Sequence, residues 1–214
     1  MRPRSIAVLL ICRAAAAAVV LDRIAVVVDK HVIKTSDIER DARVAEFLDR
    51  APLDTSVKVK RQAAERLIDQ TVIREEMDKG GYSKSSAGEV NGLVKRMLAE
   101  RFGGSAASFQ RELARYGLSE AQLRLQLQWQ MDVLAFLDQR FRPGVLVTDE
   151  QVKSYYDQHR ADLERQFPQL KTYAALEPKI RASLEGEQVN QNFEEWLAEA
   201  RKRDRIVYHQ EAFQ

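Results

Sequence analysis

Ser119-Glu-Ala-Gln-Leu-Arg-Leu-Gln-Leu-Gln-Trp-Gln-Met-Asp-Val-Leu-Ala-Phe-Leu-Asp-Gln-Arg-Phe141 reads as one unbroken helix, and its patterning decides how the chain folds. Ser119 and Gln122 stand three residues apart, the spacing at which each side chain can satisfy the other's backbone donor at a helix start. The helix is expected to run to about Arg142, where Pro143-Gly144 breaks it, and reads as the longest in the chain. Leu123, Leu127, Leu134, Leu137 and Phe141 fall on one stripe. Leu125, Trp129, Val133 and Phe136 fall on another, about 120° round at roughly 100° per residue. A helix apolar on two sides must bury both, or bury one and offer the other.

The elements on either side follow from the same kind of reading. Ile24-Ala-Val-Val-Val28 is rich in β-branched residues, and Val32-Ile33 follows the turn-forming Asp29-Lys-His31, which predicts a short hairpin. Ser36 and Glu39 have capping-box spacing and open a helix carrying Ile38, Ala42, Ala45 and Leu48, closed by Pro52. A second helix is expected over Val57 to Lys79, with Ala64, Leu67, Ile68, Thr71 and Val72 on one side and Gly80-Gly81 at its exit. Ser86 and Glu89 cap a third, bearing Val90, Val94, Met97 and Leu98, which Gly103-Gly104 stops. A short helix with Phe109, Leu113 and Tyr116 ends at Gly117.

Beyond the break, Thr148 and Gln151 cap a helix with Val152, Tyr155, Tyr156 and Leu163 before Pro168. A last helical region carries Leu176, Ile180, Leu184, Phe193, Trp196 and Leu197, with a break expected near Gly186. Ile206-Val-Tyr208 is a terminal strand. Isolated strands are marginal alone, so the two ends of the chain are expected to pair. The fold class is therefore mainly α: a multi-helix domain with a small antiparallel β element joining the N-terminal hairpin to the C-terminal strand.

Composition narrows the function. The 214 residues are 45% apolar and 31% charged, with 34 basic against 32 acidic side chains, which argues against disorder and against a polybasic nucleic-acid reader. A single cysteine, Cys12, excludes an intrachain disulfide framework and a cysteine-cluster zinc site. His31, His159 and His209 lie far apart with no metal-ligand spacing, so no catalytic residue, metal or cofactor is assigned. Arg201-Lys-Arg-Asp-Arg205 ends a helix, where basic residues complement the dipole and stay solvated.

The first residues read as an export signal. Arg2 and Arg4 precede the apolar run Ile6 to Cys12, and Ala14 to Ala18 supply an Ala-x-Ala exit, which places cleavage near Ala18. A membrane anchor and a lipoprotein through Cys12 are the competing readings; Arg13 interrupts the span an anchor needs. Removal of residues 1–18 deletes three arginines and no acid, leaving 31 basic against 32 acidic groups and no cysteine.

With these elements in order, the sequence resembles the SurA-type periplasmic chaperones. Ile24 to Ile33 followed at once by Thr35-Ser-Asp-Ile-Glu39 resembles the family's valine-rich strand, turn, strand and Ser/Thr-Asp-Ile helix. Glu65-Arg-Leu-Ile-Asp-Gln-Thr-Val-Ile73 is similar to its second helix, and Phe109-Gln-Arg-Glu-Leu-Ala-Arg-Tyr-Gly-Leu-Ser119 to its passage into the long helix. Val147-Thr-Asp-Glu-Gln-Val-Lys-Ser-Tyr-Tyr156 is similar to the point just before the family's prolyl isomerase domain. Lys179-Ile-Arg181, Asn192-Phe-Glu-Glu-Trp-Leu197 and Ile206-Val-Tyr208 resemble its closing helix and strand. The resemblance covers about Leu21 to Tyr208. Only Asp157 to Thr172 stands where that family carries one or two parvulin-type domains, too short a stretch for one.

The resemblance implies one chaperone domain over 19–214, its 19–167 part completed by 168–214, following a 1–18 signal. It implies a periplasmic, ATP-independent chaperone that holds unfolded outer-membrane or secreted polypeptides, with no nucleic acid or small molecule as partner. Leu125, Trp129, Val133 and Phe136 are the candidate client-binding surface, with Met97 and Met131 as adaptable apolar contacts. The competing readings are ordinary core for all six, a peptidyl-prolyl isomerase, and an accessory module for a separate isomerase or membrane partner.

Overall fold

The computed structural model describes residues 22–170 and 172–214, so the expected signal lies outside the described residues. The element order is β1 (Ile24–Val28), β2 (His31–Lys34), α1 (Thr35–Asp49), α2 (Val57–Gly80), α3 (Ala87–Phe102), α4 (Ala106–Arg115), α5 (Glu120–Arg140), α6 (Asp149–Gln166), α7 (Tyr173–Arg203) and β3 (Ile206–Tyr208). One 3-10 turn (Arg142–Gly144) follows α5 and another (Gln210–Phe213) follows β3. The mainly helical reading with a small sheet therefore stands.

The strands pair as expected. β1 lies between β2 and β3, antiparallel to both, with Val27 opposite Val32 on one side and Val207 on the other. The turn between β1 and β2 places Asp29 at φ 50°, a left-handed position that Asp tolerates better than most side chains. The β1–β2 register shifts between Ile24 and Val26, a bulge that lets the neighbours Ala25 and Val26 both be buried. The Ala25 carbonyl accepts from the His209 N–H at 2.9 Å, which ties the tail to the first strand.

The start of α1 differs from the Ser36–Glu39 box. β2 runs directly into the helix, so Lys34 is the capping residue and its N–H donates to the Asp37 carboxylate at 3.0 Å. Ser36 is inside the first turn, where its N–H and hydroxyl donate to Asp22. Glu39 pairs with Arg43 instead. The boxes at Ser86–Glu89, Ser119–Gln122 and Thr148–Gln151 all form. Gly81, at φ 64°, closes α2 in a left-handed turn, donating its N–H to the Met77 carbonyl.

The last helical region corrects two expectations. It continues through Gly186 without a break and, at 31 residues, exceeds the 21 of α5. Glycine costs a helix interior about 1 kcal/mol, and packing of Ile180 and Val189 on either side outweighs that. The N-terminal half of α7 packs on α6 as a helical hairpin around Val152, Tyr156, Leu163, Leu176 and Ile180. Its C-terminal half lies on α2 and α5.

The two stripes of α5 do not each keep to one core: Phe141 of the first stripe packs with the second, and Leu134 of the first and Leu125 of the second are exposed. Leu123 and Leu127 pack with Phe47, Val90, Val94, Phe109 and Leu113 between α1, α3 and α4. Trp129, Val133 and Phe136 pack with Ile73 and Met77 of α2 and Phe193 and Trp196 of α7. A third core, under the sheet, joins Val26, Val28, Ile38, Ile68 and Phe213.

Candidate functional site

Three helix faces converge on one groove of about 550 Å³. α1 contributes Asp37, Arg40, Asp41 and Val44, which recur every three or four residues and so share a face. α2 contributes Leu67, Gln70, Arg74, Met77 and Asp78 by the same spacing. α5 contributes Gln122, Leu125, Gln126, Gln128, Trp129 and Asp132, and Lys84 comes from the α2–α3 loop.

The apolar part of the lining is Val44, Leu67, Met77, Leu125 and Trp129, of which Val44, Met77 and Trp129 are buried. Leu125 stands out from the rim, 68% exposed. An unpaired leucine on a surface is common; one beside an apolar groove extends the area a ligand can cover.

The polar lining is largely self-satisfied. Arg40 pairs with Asp37 at 2.5 Å, and Lys84 lies 3.8 Å from Asp78. Asp41, buried in the wall, accepts from Arg66 and from Gln70. Burial pushes its carboxyl above the ordinary range, against the opposing pull of Arg66 and Gln70. Asp132 is also buried and accepts the Ser85 N–H at 2.6 Å, while Gln128 donates to the Ser85 carbonyl. These two side chains fix the 82–86 loop, a stretch with no chemistry of its own, as one end of the groove.

Arg74 is placed differently. Its guanidinium lies 4.0 Å from the centroid of the Trp129 ring, and no carboxylate lies within ion-pair distance of it among the described residues. Loss of hydration pushes its pKa down, opposed by the nearby charges of Asp132 and Asp78. The stack also explains why Trp129, on the lining of an open groove, is only 7% exposed. The arrangement offers apolar contact, a cation with donors to spare and a locally neutralised rim. It holds no nucleophile paired with a base.

The residues singled out from sequence separate into three places. Leu125 and Trp129 share the groove. Val133 is half-buried and Phe136 wholly buried behind it, with Phe136 edge-on to Tyr82, Phe141 and Trp196 at 4.9–5.7 Å. Met97 and Met131 are half-buried against the core of α3, α4 and α5. Helical periodicity identifies the stripe, but one stripe spans a groove at its N-terminal end and an aromatic core at its C-terminal end. The contributions of Arg40, Val44, Arg74 and Met77 went unseen because they depend on how α1 and α2 cross α5. The α2 spacing of Leu67, Gln70, Arg74 and Met77 is the signal that could have found half of them.

Elsewhere, α5 and α7 leave a smaller groove of about 300 Å³ beside Leu134, Leu137, Gly186 and Val189, with Leu134 65% exposed. His31 Nε2 lies 2.8 Å from Glu75. No described helix is long and apolar enough to cross a membrane.

No family model matches the sequence. Over 150 residues the chain is 33% identical to Chaperone SurA of Pseudomonas aeruginosa, a match that takes in 68% of this chain and 36% of that protein. The chain thus spans little more than a third of the relative it matches, and over that stretch it stands in a distant SurA-like relationship.

Proposed function

We propose that this protein is an ATP-independent periplasmic chaperone that holds unfolded outer-membrane or secreted polypeptides, and that the α1–α2–α5 groove is the holding surface. The observation that carries the reading is the build of that groove: Val44, Leu67, Met77 and Trp129 under a rim whose charges answer one another. Apolar burial is non-directional, so such a lining accepts many sequences. A rim with little net field neither selects strongly by charge nor slows release. The similarity to Chaperone SurA supports the class of activity, and the Arg2 to Ala18 layout supports export. The reading assigns holding rather than catalysis to this chain.

The test is aggregation of an unfolded outer-membrane barrel followed by light scattering, without nucleotide. At stoichiometric ratio the protein is expected to suppress the signal, and Leu125→Asp to relieve that suppression while the fold is kept. Leu125→Asp is a cleaner probe than Trp129→Asp, because a carboxylate at the buried Trp129 position also threatens the core. Scattering that rises unchanged in the presence of wild type would sink the proposal. In a prolyl-peptide assay the same preparation is expected to leave isomerisation at its slow uncatalysed rate.

A further inference from the structure

Within the groove, donors and acceptors do not balance. Asp37, Asp41, Asp78 and Asp132 each have a partner: Arg40, Arg66, Lys84 and the Ser85 N–H respectively. Gln122 is committed to the Ser119 cap and Gln128 to the Ser85 carbonyl. Arg74 and Gln126 are left with no hydrogen-bond partner among the described residues. The groove's unmet demand is therefore chiefly for acceptors, since a guanidinium carries five N–H donors and no acceptor.

The Trp129 stack makes Arg74 a positioned donor rather than a loose cation. A guanidinium lying on an indole face keeps its N–H groups at its own edge, available without further ordering. Charge decides what those groups receive. Four aspartates against Arg40, Arg74 and Lys84 give an anion no net attraction into the groove, and every aspartate there already has a partner. A neutral acceptor enters without that penalty. An extended polypeptide presents such an acceptor at every residue, repeating about every 3.3 Å along the chain.

We propose that Arg74, held on Trp129, hydrogen-bonds main-chain carbonyl oxygens of an extended polypeptide in the α1–α2–α5 groove, with Gln126 as a second main-chain contact. This rests on the holding role proposed above and adds to it a sequence-independent contact. Apolar side chains of the bound segment meet Val44, Leu67 and Met77, and Arg74 fixes the backbone among them. The recognised chemistry is the peptide carbonyl and not a terminal carboxylate.

The probe is an unlabelled peptide of Ser, Gly, Leu and Tyr, acetylated and amidated so that it carries no charge, with binding to the full chain read by isothermal titration calorimetry. Arg74→Met is expected to weaken binding about tenfold, the scale of one hydrogen bond to a charged group. Arg74→Lys, which keeps the charge and loses the planar fork, is expected to recover only part of that. The free-acid form of the peptide is expected to bind no more tightly than the amide. Tighter binding by Arg74→Met would overturn the proposal, making Arg74 a cover over Trp129 instead. A preference for the free acid that disappears in Arg74→Met would also overturn it, in favour of an anion site. If Leu125→Asp abolishes binding while Arg74→Met leaves it intact, the groove stands and the carbonyl contact falls. If the peptide binds neither wild type nor variants, or binds all alike, the holding groove itself fails and this contact with it.

Discussion

Arg201 shows how much one side chain can fasten. It reaches from the end of α7 to Glu65 and to Asp69 of α2, 2.6 Å from each, and Glu65 in turn accepts the Tyr208 hydroxyl of β3 at 2.7 Å. Glu65 of α2 thus meets the end of α7 and β3, 136 and 143 residues further along the chain. Within the basic run Arg201–Arg205, which reads as a solvated helix end, this residue has a structural task that its neighbours lack. Replacing it with Met is expected to cost about 1 kcal/mol, since the pairs are partly exposed and screened, measured by urea denaturation. Burial and the bond to Glu65 push the Tyr208 hydroxyl up to about 12. A folded-state value above the unfolded one means the contribution is whole below about pH 10 and is lost as pH rises toward 12. The difference between alkaline absorbance titrations of wild type and Tyr208→Phe should thus be a single step near pH 12. A step at the ordinary tyrosine value would contradict the buried bond.

At the scale of the element, α5 is the helix that the cores and the groove share. It contributes to two cores, and of its large apolar residues Leu125 and Leu134 are exposed while Leu137 is half-buried outside both cores. Phe136→Ala is expected to cost about 3–5 kcal/mol by opening a cavity among Tyr82, Phe141 and Trp196. Leu134→Asp should stay within about 0.5 kcal/mol. Chemical denaturation of the two variants checks both, and similar costs would mean the stripes are assigned to the wrong faces. Local signals make most of this legible in advance. The Ser86, Ser119 and Thr148 caps, the Gly81 and Gly103 exits and the apolar spacing are chemical statements about adjacent residues, and they locate the helices. Ser36 misleads because a strand feeds α1 without a loop, moving its start to Lys34. Gly186 misleads because tertiary packing overrides a weak local preference. Periodicity finds which side of α5 is apolar; what it cannot show is which neighbour covers each turn of that side.

At the scale of the molecule, the chain's two described ends complete one small sheet. β3 pairs with β1, the Asp29 side chain accepts the Arg205 N–H, and Phe213 closes the core beneath the strands. α7, about 46 Å long at 1.5 Å per residue, links that closure to the α6 hairpin, so the final helix belongs to both regions. Phe213→Ala is expected to cost about 3–5 kcal/mol and to lower the melting temperature by about 10 °C. A loss confined to the tail, with an unchanged melting temperature, would show that the ends do not close the core. The tight joining of α1, α2 and α5 by these cores matters for function, because a groove between helices keeps its shape only if the helices keep their crossings.

If the protein holds clients as proposed, unfolded polypeptide enters the α1–α2–α5 groove and no other apolar patch. A photo-reactive phenylalanine analogue placed at Leu125 and, separately, at Leu134 distinguishes the two. Both positions are exposed leucines of α5, but only Leu125 lines the groove between α1 and α2. Illuminated with an unfolded outer-membrane barrel, the Leu125 variant is predicted to form crosslinked adducts that excess unlabelled client competes away, and the Leu134 variant to form few. Equal yields at both positions, or more at Leu134, would show that the groove is not where client binds.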